Sequence, residues 1–254
     1  MHLNYQIHGE GQPLIILHGL FGTLENWGSQ IKALAKHFQV IAVDLRNHGR
    51  SEHSNEMNYQ LMAADIHQLI QDLDIAKAHI LGHSMGGKAA MQLALNNPSV
   101  IDKLIVVDIA PVTYSAHHEA VFKGLHAVDL VSLKSRSDAD KQLSQFIPEL
   151  GVRAFLLKNL YRTEEKTFAW RMNLETLYAK YTDISAAPHG TPYQSTTLFI
   201  KGGNSDYMIP AYRDAVITLF PKAKYTIIKD AGHWPHAEKP EAFSKVVLNH
   251  LLNE

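Results

Sequence analysis

The sequence predicts an α/β protein, with a mostly parallel central sheet, helices on both faces and a block of helices inserted in the second half. Three observations carry this expectation. Short, wholly apolar runs alternate with longer stretches whose apolar residues recur at helical spacing. The alternation stops at about Val112, and resumes after Pro192. Residues 79–97 read as strand, sharp turn and helix in immediate succession, and a chain of 254 residues suits one domain of this class.

Leu3 to Ile7 alternates and reads as an edge strand, turned by Gly9-Glu10-Gly11-Gln12-Pro13. Leu14 to Leu17 is apolar throughout, as a strand buried on both faces must be. Trp27, Ile31, Leu34 and Phe38 sit at helical spacing, and Val40 to Val43 is the next buried strand. Asp44 and Arg46 follow it and are expected to shape their loop through an ion pair or hydrogen bonds. Leu61, Met62, Ile66, Leu69, Ile70 and Leu73 mark a helix, and the apolar run ending at Gly82 is the strand after it. An alanine-rich helix then runs to Asn97-Pro98, and Leu104 to Val107 is a further buried strand that delivers Asp108 at its end.

Between Val112 and Pro192 four helices are expected, roughly His117 to Val128, Ala139 to Ile147, Val152 to Tyr161 and Asn173 to Tyr181. A loop of that length without structure does not fit a compact domain. The expected organisation is therefore a core of residues 1–111 and 193–254, with residues 112–192 as a helical cap over the carboxyl edge of the sheet. Thr197 to Ile200, a helix from Ala211 to Phe220, Tyr225 to Ile228 and a last helix from Pro240 to Leu252 complete the core.

A net charge of -1 leaves no basic face for nucleic acid and no polybasic membrane patch. There are no cysteines, which excludes disulfides and thiolate chemistry. Sixteen histidines are many, yet none are paired at metal-ligand spacing beside carboxylates, so no metal and no cofactor are expected. The first residues show no leader pattern and no run is long enough to span a bilayer, which reads as a cytoplasmic protein acting on a small molecule, monomeric or homodimeric.

The chemistry centres on Gly82-His83-Ser84-Met85-Gly86, the G-x-S-x-G elbow. A serine lifted above a strand end needs small residues two positions either side, where strand and helix cross closely. It also lies at a helix N-terminus, where free N–H groups such as that of Met85 point at any anion forming beside it. Serine is a poor nucleophile without a base, and His233, in Ala231-Gly232-His233-Trp234 after the last strand, is the strongest candidate. Two carboxylates compete to orient it: Asp206 after the penultimate strand and Asp108 after the strand that follows the elbow helix. His18, Gly19 and His83 flank the site and are candidate substrate contacts, although shaping the turn is the plainer role for the two histidines.

Taken with His18-Gly19-Leu20-Phe21-Gly22, Asp44-Leu45-Arg46-Asn47-His48-Gly49, Val107-Asp108-Ile109-Ala110-Pro111 and Gly202-Gly203-Asn204-Ser205, these motifs resemble the α/β-hydrolase superfamily over essentially the whole chain. Within it they are most similar to the bacterial YbfF-type esterases and their eukaryotic ABHD11-like relatives. The resemblance implies an α/β-hydrolase fold, a Ser84-His233-Asp108 triad with Asp206 as the alternative acid, and an oxyanion hole from the N–H groups of Phe21 and Met85. It also implies hydrolysis of short-chain esters and acyl-CoA thioesters. Apolar residues of the cap, among them Phe122, Phe146, Phe155, Leu156 and Trp170, are then candidates to line an acyl pocket. Two rival readings keep the fold: a small-molecule receptor that turns over slowly or not at all, and another serine chemistry such as carbon-carbon bond hydrolysis or a cofactor-free haloperoxidase.

Overall fold

The computed structural model describes residues 1–253. Seven strands form the main sheet: β1 (Tyr5–His8), β2 (Pro13–Leu17), β3 (Gln39–Val43), β4 (Ala78–His83), β5 (Ile101–Val107), β8 (Thr197–Gly202) and β9 (Ala223–Ile228). Their order is β1-β3-β2-β4-β5-β8-β9, and every pairing is parallel except that of β1 with β3. The chain reverses its direction of travel across the sheet between β2 and β4. Loops leaving those two strands meet in a crevice at their carboxyl ends, where open sheets of this kind bind ligands.

Alternating side chains of the central strands feed two separate cores. Ile15, Leu17, Ile41, Val43, Ile80, Leu104, Val106 and Phe199 face one side, against α2 (Tyr59–Asp72) and α3 (Met85–Asn96). Leu14, Ile16, Val40, Ala42, Leu81, Ile105 and Val107 face the other, against α1 (Gly28–Leu34) and α11 (Pro240–Leu252). Covering both faces is what lets these strands be apolar throughout. Asn58 starts α2 by accepting a hydrogen bond from the Leu61 N–H at 2.9 Å, and Met62, Ile66, Leu69 and Ile70 are its buried stripe. Two shorter helices, α9 (Arg213–Leu219) and α10 (Pro235–Glu238), complete the second half of the sheet layer.

Residues 112–192 hold α4 (Glu119–Ala127), α5 (Arg136–Leu143), α6 (Leu150–Leu156), α7 (Leu174–Ala179) and α8 (Tyr181–Ser185). They also hold an antiparallel hairpin, β6 (Leu160–Arg162) with β7 (Phe168–Trp170), in place of the helical end expected at Tyr161. The two ends of the whole segment meet beside α3. The Tyr114 N–H donates to Ser185 O at 3.0 Å, and the Ala187 N–H to Thr113 Oγ1 at 3.1 Å. Lys88 of α3 is buried beneath them and donates from Nζ to Ser185 O and Ala186 O at 2.9 and 2.7 Å. Its ammonium also lies 4.7 Å from the centre of the Tyr114 ring.

Candidate active site

Ser84 stands at the turn from β4 into α3 with φ of 53°, the left-handed conformation that strand-turn-helix elbows impose. A Cβ added at Gly82 would lie 2.2 Å from Gly86 O, and one at Gly86 would lie 2.4 Å from His18 O. Both neighbours are backbone and cannot step aside, so the two glycines are required for the turn to close. The Ser84 N–H is held by Val107 O at 3.0 Å, which ties the elbow to the end of β5.

Three side chains far apart in sequence converge there. The Ser84 hydroxyl donates to His233 Nε2 at 3.0 Å, and His233 Nδ1–H donates to Asp108 Oδ2 at 2.7 Å. Asp108 is wholly buried and also accepts from the Gly202 N–H at 2.9 Å and from the Ser205 hydroxyl. Asp206, the alternative carboxylate, is exposed, and the structure does not bring it to the imidazole. The His233 turn is clamped at three backbone points. Its carbonyl accepts from His83 Nε2–H at 2.7 Å, while Glu238 accepts from the Gly232 and Trp234 N–H groups at 2.7 and 3.1 Å. Tyr207 stacks on the imidazole, with ring centres 3.8 Å apart. A hydroxyl, a neutral imidazole and a buried carboxylate in this sequence can pass a proton from oxygen to nitrogen and stabilise the imidazolium that results.

The sequence matches the family profile described as alpha/beta hydrolase fold over residues 12–240. The chain is an α/β-hydrolase.

This hydrolase is 40% identical over 247 residues to the mouse protein named sn-1-specific diacylglycerol lipase ABHD11, covering 94% of the chain and 80% of the relative. It is 39% identical over 240 residues to Esterase YbfF of Escherichia coli, covering 94% of the chain and 92% of the relative. A solved marine microorganism esterase superposes with a TM-score of 0.95 at 38% identity, over 97% of this chain and 98% of that one. The chain is thus an enzyme in a group whose members carry the names esterase and lipase. Among the described residues no helix is long and apolar enough to cross a membrane.

The loop after β2 differs in one respect from the expectation for an α/β-hydrolase of this motif. The Phe21 N–H donates to His48 Nε2 at 3.2 Å, so it is not aimed at the serine. Phe21 has φ of 60°, a conformation that side-chain-bearing residues rarely adopt. The preceding Leu20 N–H has no partner among the described residues, and Leu20 borders the cavity beside Ser84. The Met85 N–H, at the first position of α3, is likewise without a partner among them.

His18, Gly19 and His83 all border the cavity, but the two rings are occupied within the protein. His18 donates from Nδ1 to Gly19 O at 2.8 Å and accepts at Nε2 from the Leu45 N–H at 3.0 Å. His83 spends Nε2–H on His233 O, as described. His48, absent from the sequence-based candidates, fastens the same loop: it donates from Nδ1 to Arg46 O at 2.9 Å while receiving Phe21. Asp44 adds three contacts, accepting from the Leu24 N–H, the Arg50 N–H and Asn4 Nδ2 at 2.7 to 2.9 Å. Arg46 pairs with Asp65 at 2.6 Å. These bonds hold the loops that carry the site in place.

Burial keeps these histidines neutral. It depresses His48 to about 3, does the same to His236, which stacks on Trp27 with ring centres 4.1 Å apart, and lowers His18 and His83 as well. Because the folded values lie below the unfolded value of 6.5, the unfolded chain binds more protons between about pH 6.5 and pH 3. Stability is then full above pH 6.5 and falls as pH drops through that window. Thermal melts from pH 8 to pH 4.5 are expected to hold steady down to about pH 6.5 and then lose several degrees per pH unit. A melting temperature flat to pH 4.5 would contradict this reading of the buried rings.

Proposed function

We propose that this enzyme hydrolyses carboxylic esters and acyl thioesters through an acyl-enzyme on Ser84. His233 takes the hydroxyl proton, Asp108 holds the imidazole and stabilises its charged form, and the Leu20 and Met85 N–H groups receive the oxyanion. His233 next protonates the leaving group. Water then attacks the acyl-enzyme with His233 again as base, releasing the acid and restoring the serine. Apart from the substrate and that water, these steps use only groups of the chain itself.

The observation that carries the reading is the unbroken contact from Ser84 Oγ through His233 to the buried Asp108. A receptor that only holds its ligand has no need of a carboxylate buried and bonded to an imidazole beside a hydroxyl. Residues 112–192 serve as the cap: Phe146, Phe155 and Leu156 supply apolar walls to the cavity of about 420 Å³ that Ser84 borders. Phe122 is instead buried against the edge of Phe21, at 5.2 Å between ring centres, and belongs to the core. Acyl-CoA thioesters fit the chemistry, since a thiolate leaves at least as readily as an alkoxide.

The test is covalent capture with a fluorophosphonate, which reacts only with an activated serine. Stoichiometric labelling of the Ser84 peptide, abolished when the chain is unfolded, is the expected result. A folded chain that stays unlabelled would favour the receptor.

A further inference from the structure

Ser84 borders two cavities of very unequal size, one of about 420 Å³ and one of about 30 Å³. Leu20, His117, His118 and Tyr207 border both and form the neck between them. We propose that the small cavity takes the acyl group and the large one takes the leaving group. This rests on Ser84 being the nucleophile.

The two sides of the serine differ in chemistry as well as size. His233 and Trp234 border the large cavity and not the small one, whereas Met85 borders the small cavity and not the large one. During acylation the Ser84 proton passes to His233 Nε2, the Oγ–C bond forms, and the carbonyl electrons move to the oxyanion. On collapse the bond from carbon to the leaving oxygen or sulfur breaks with its electron pair, and that atom takes the proton back from Nε2. The leaving group therefore lies on the imidazole side, in the large cavity. With the oxyanion between the Leu20 and Met85 amides, the remaining substituent of the tetrahedral carbon points into the small one.

Size then sets the substrate class. A water-sized group needs about 10–15 Å³ of such space, so 30 Å³ takes roughly two or three heavy atoms beyond the carbonyl. One wall of the small cavity is firm. Tyr59 and Ile184 are both buried there, the Tyr59 hydroxyl donates to Ile184 O, and Lys88 holds the two carbonyls that follow. Acetyl to butyryl groups fit, carried on a bulky and largely apolar alcohol or thiol. Phe146, Phe155 and Leu156 accordingly meet the leaving group, where the sequence expectation gave them the acyl chain.

Two substrate series decide the matter with the wild-type enzyme. Across p-nitrophenyl esters from acetate to dodecanoate, kcat/KM should fall at least about tenfold between butanoate and octanoate. Across acetates of methyl, benzyl and naphthylmethyl alcohols it should hold or rise. Ile184→Ala, which deepens the small cavity, should raise the octanoate-to-acetate ratio by about tenfold. Octanoate turned over as well as acetate by the wild type, or an Ile184→Ala ratio equal to the wild type's, would overturn the assignment. Neither outcome touches the nucleophile, whose own failure would appear as activity surviving the loss of the Ser84 hydroxyl.

Discussion

Ser84→Ala is expected to lower kcat for p-nitrophenyl acetate by at least about 10⁴-fold while the protein stays folded. The substitution removes one oxygen from a half-buried position and leaves the elbow glycines, the Val107 contact to the Ser84 N–H and the whole of α3 in place. What it removes is the only atom among the described residues that His233 Nε2 is bonded to. Residual turnover then reflects water attacking a carbonyl polarised by the Leu20 and Met85 amides, which survive the change. Steady-state kinetics at one pH suffices, with circular dichroism to show the fold. Equal rates for the two proteins would mean that the hydroxyl is not the attacking group.

The second large effect separates the two carboxylates. Asp108→Asn should cost about 10⁴-fold in kcat, because an amide cannot favour the tautomer with the proton on Nδ1 and cannot stabilise the imidazolium. Asp206→Asn should leave kcat within about threefold of the wild type, since its carboxyl stands in solvent away from the imidazole. The pair is a matched control: the same substitution, the same loss of charge, and only one contact to His233. A reversed order would mean that the loop after β8 rearranges to bring Asp206 inward.

The sheet and the elbow were legible in the sequence because both are written locally. Apolar runs such as Leu14 to Leu17 report burial on two faces, and Gly82 and Gly86 report a backbone crossing within a few residues of Ser84. The choice of acid was not, because it depends on where the turn after β8 comes to rest. Composition near Asn204-Ser205-Asp206 suits either outcome, and in the structure it is Ser205 and the Gly202 N–H that turn inward to bind Asp108. The oxyanion loop failed for a similar reason. Which of two successive amides is left free is decided by His48 arriving from another loop to accept from Phe21, and no local pattern encodes that. The β6–β7 hairpin did leave a signal, the Tyr161 and Phe168 to Trp170 aromatics around Thr163-Glu164-Glu165-Lys166-Thr167, but the helical spacing of Phe155, Leu156 and Leu160 masked it.

The stems of the cap close on each other within a single backbone hydrogen bond, from Tyr114 to Ser185. Everything between those two residues is therefore a detour that returns to its starting point, fastened to the core on the way where the Asn173 N–H donates to Asn47 O at 2.9 Å and Asn159 Nδ2 to Phe21 O at 2.7 Å. Closing a longer detour costs little, about 0.6 kcal/mol per doubling. If that stretch is the cap proposed above, changes in it that keep those ties should reshape what the enzyme accepts while Ser84, His233 and Asp108 hold their places, and cap exchange between such scaffolds should be grafted at this pinch point.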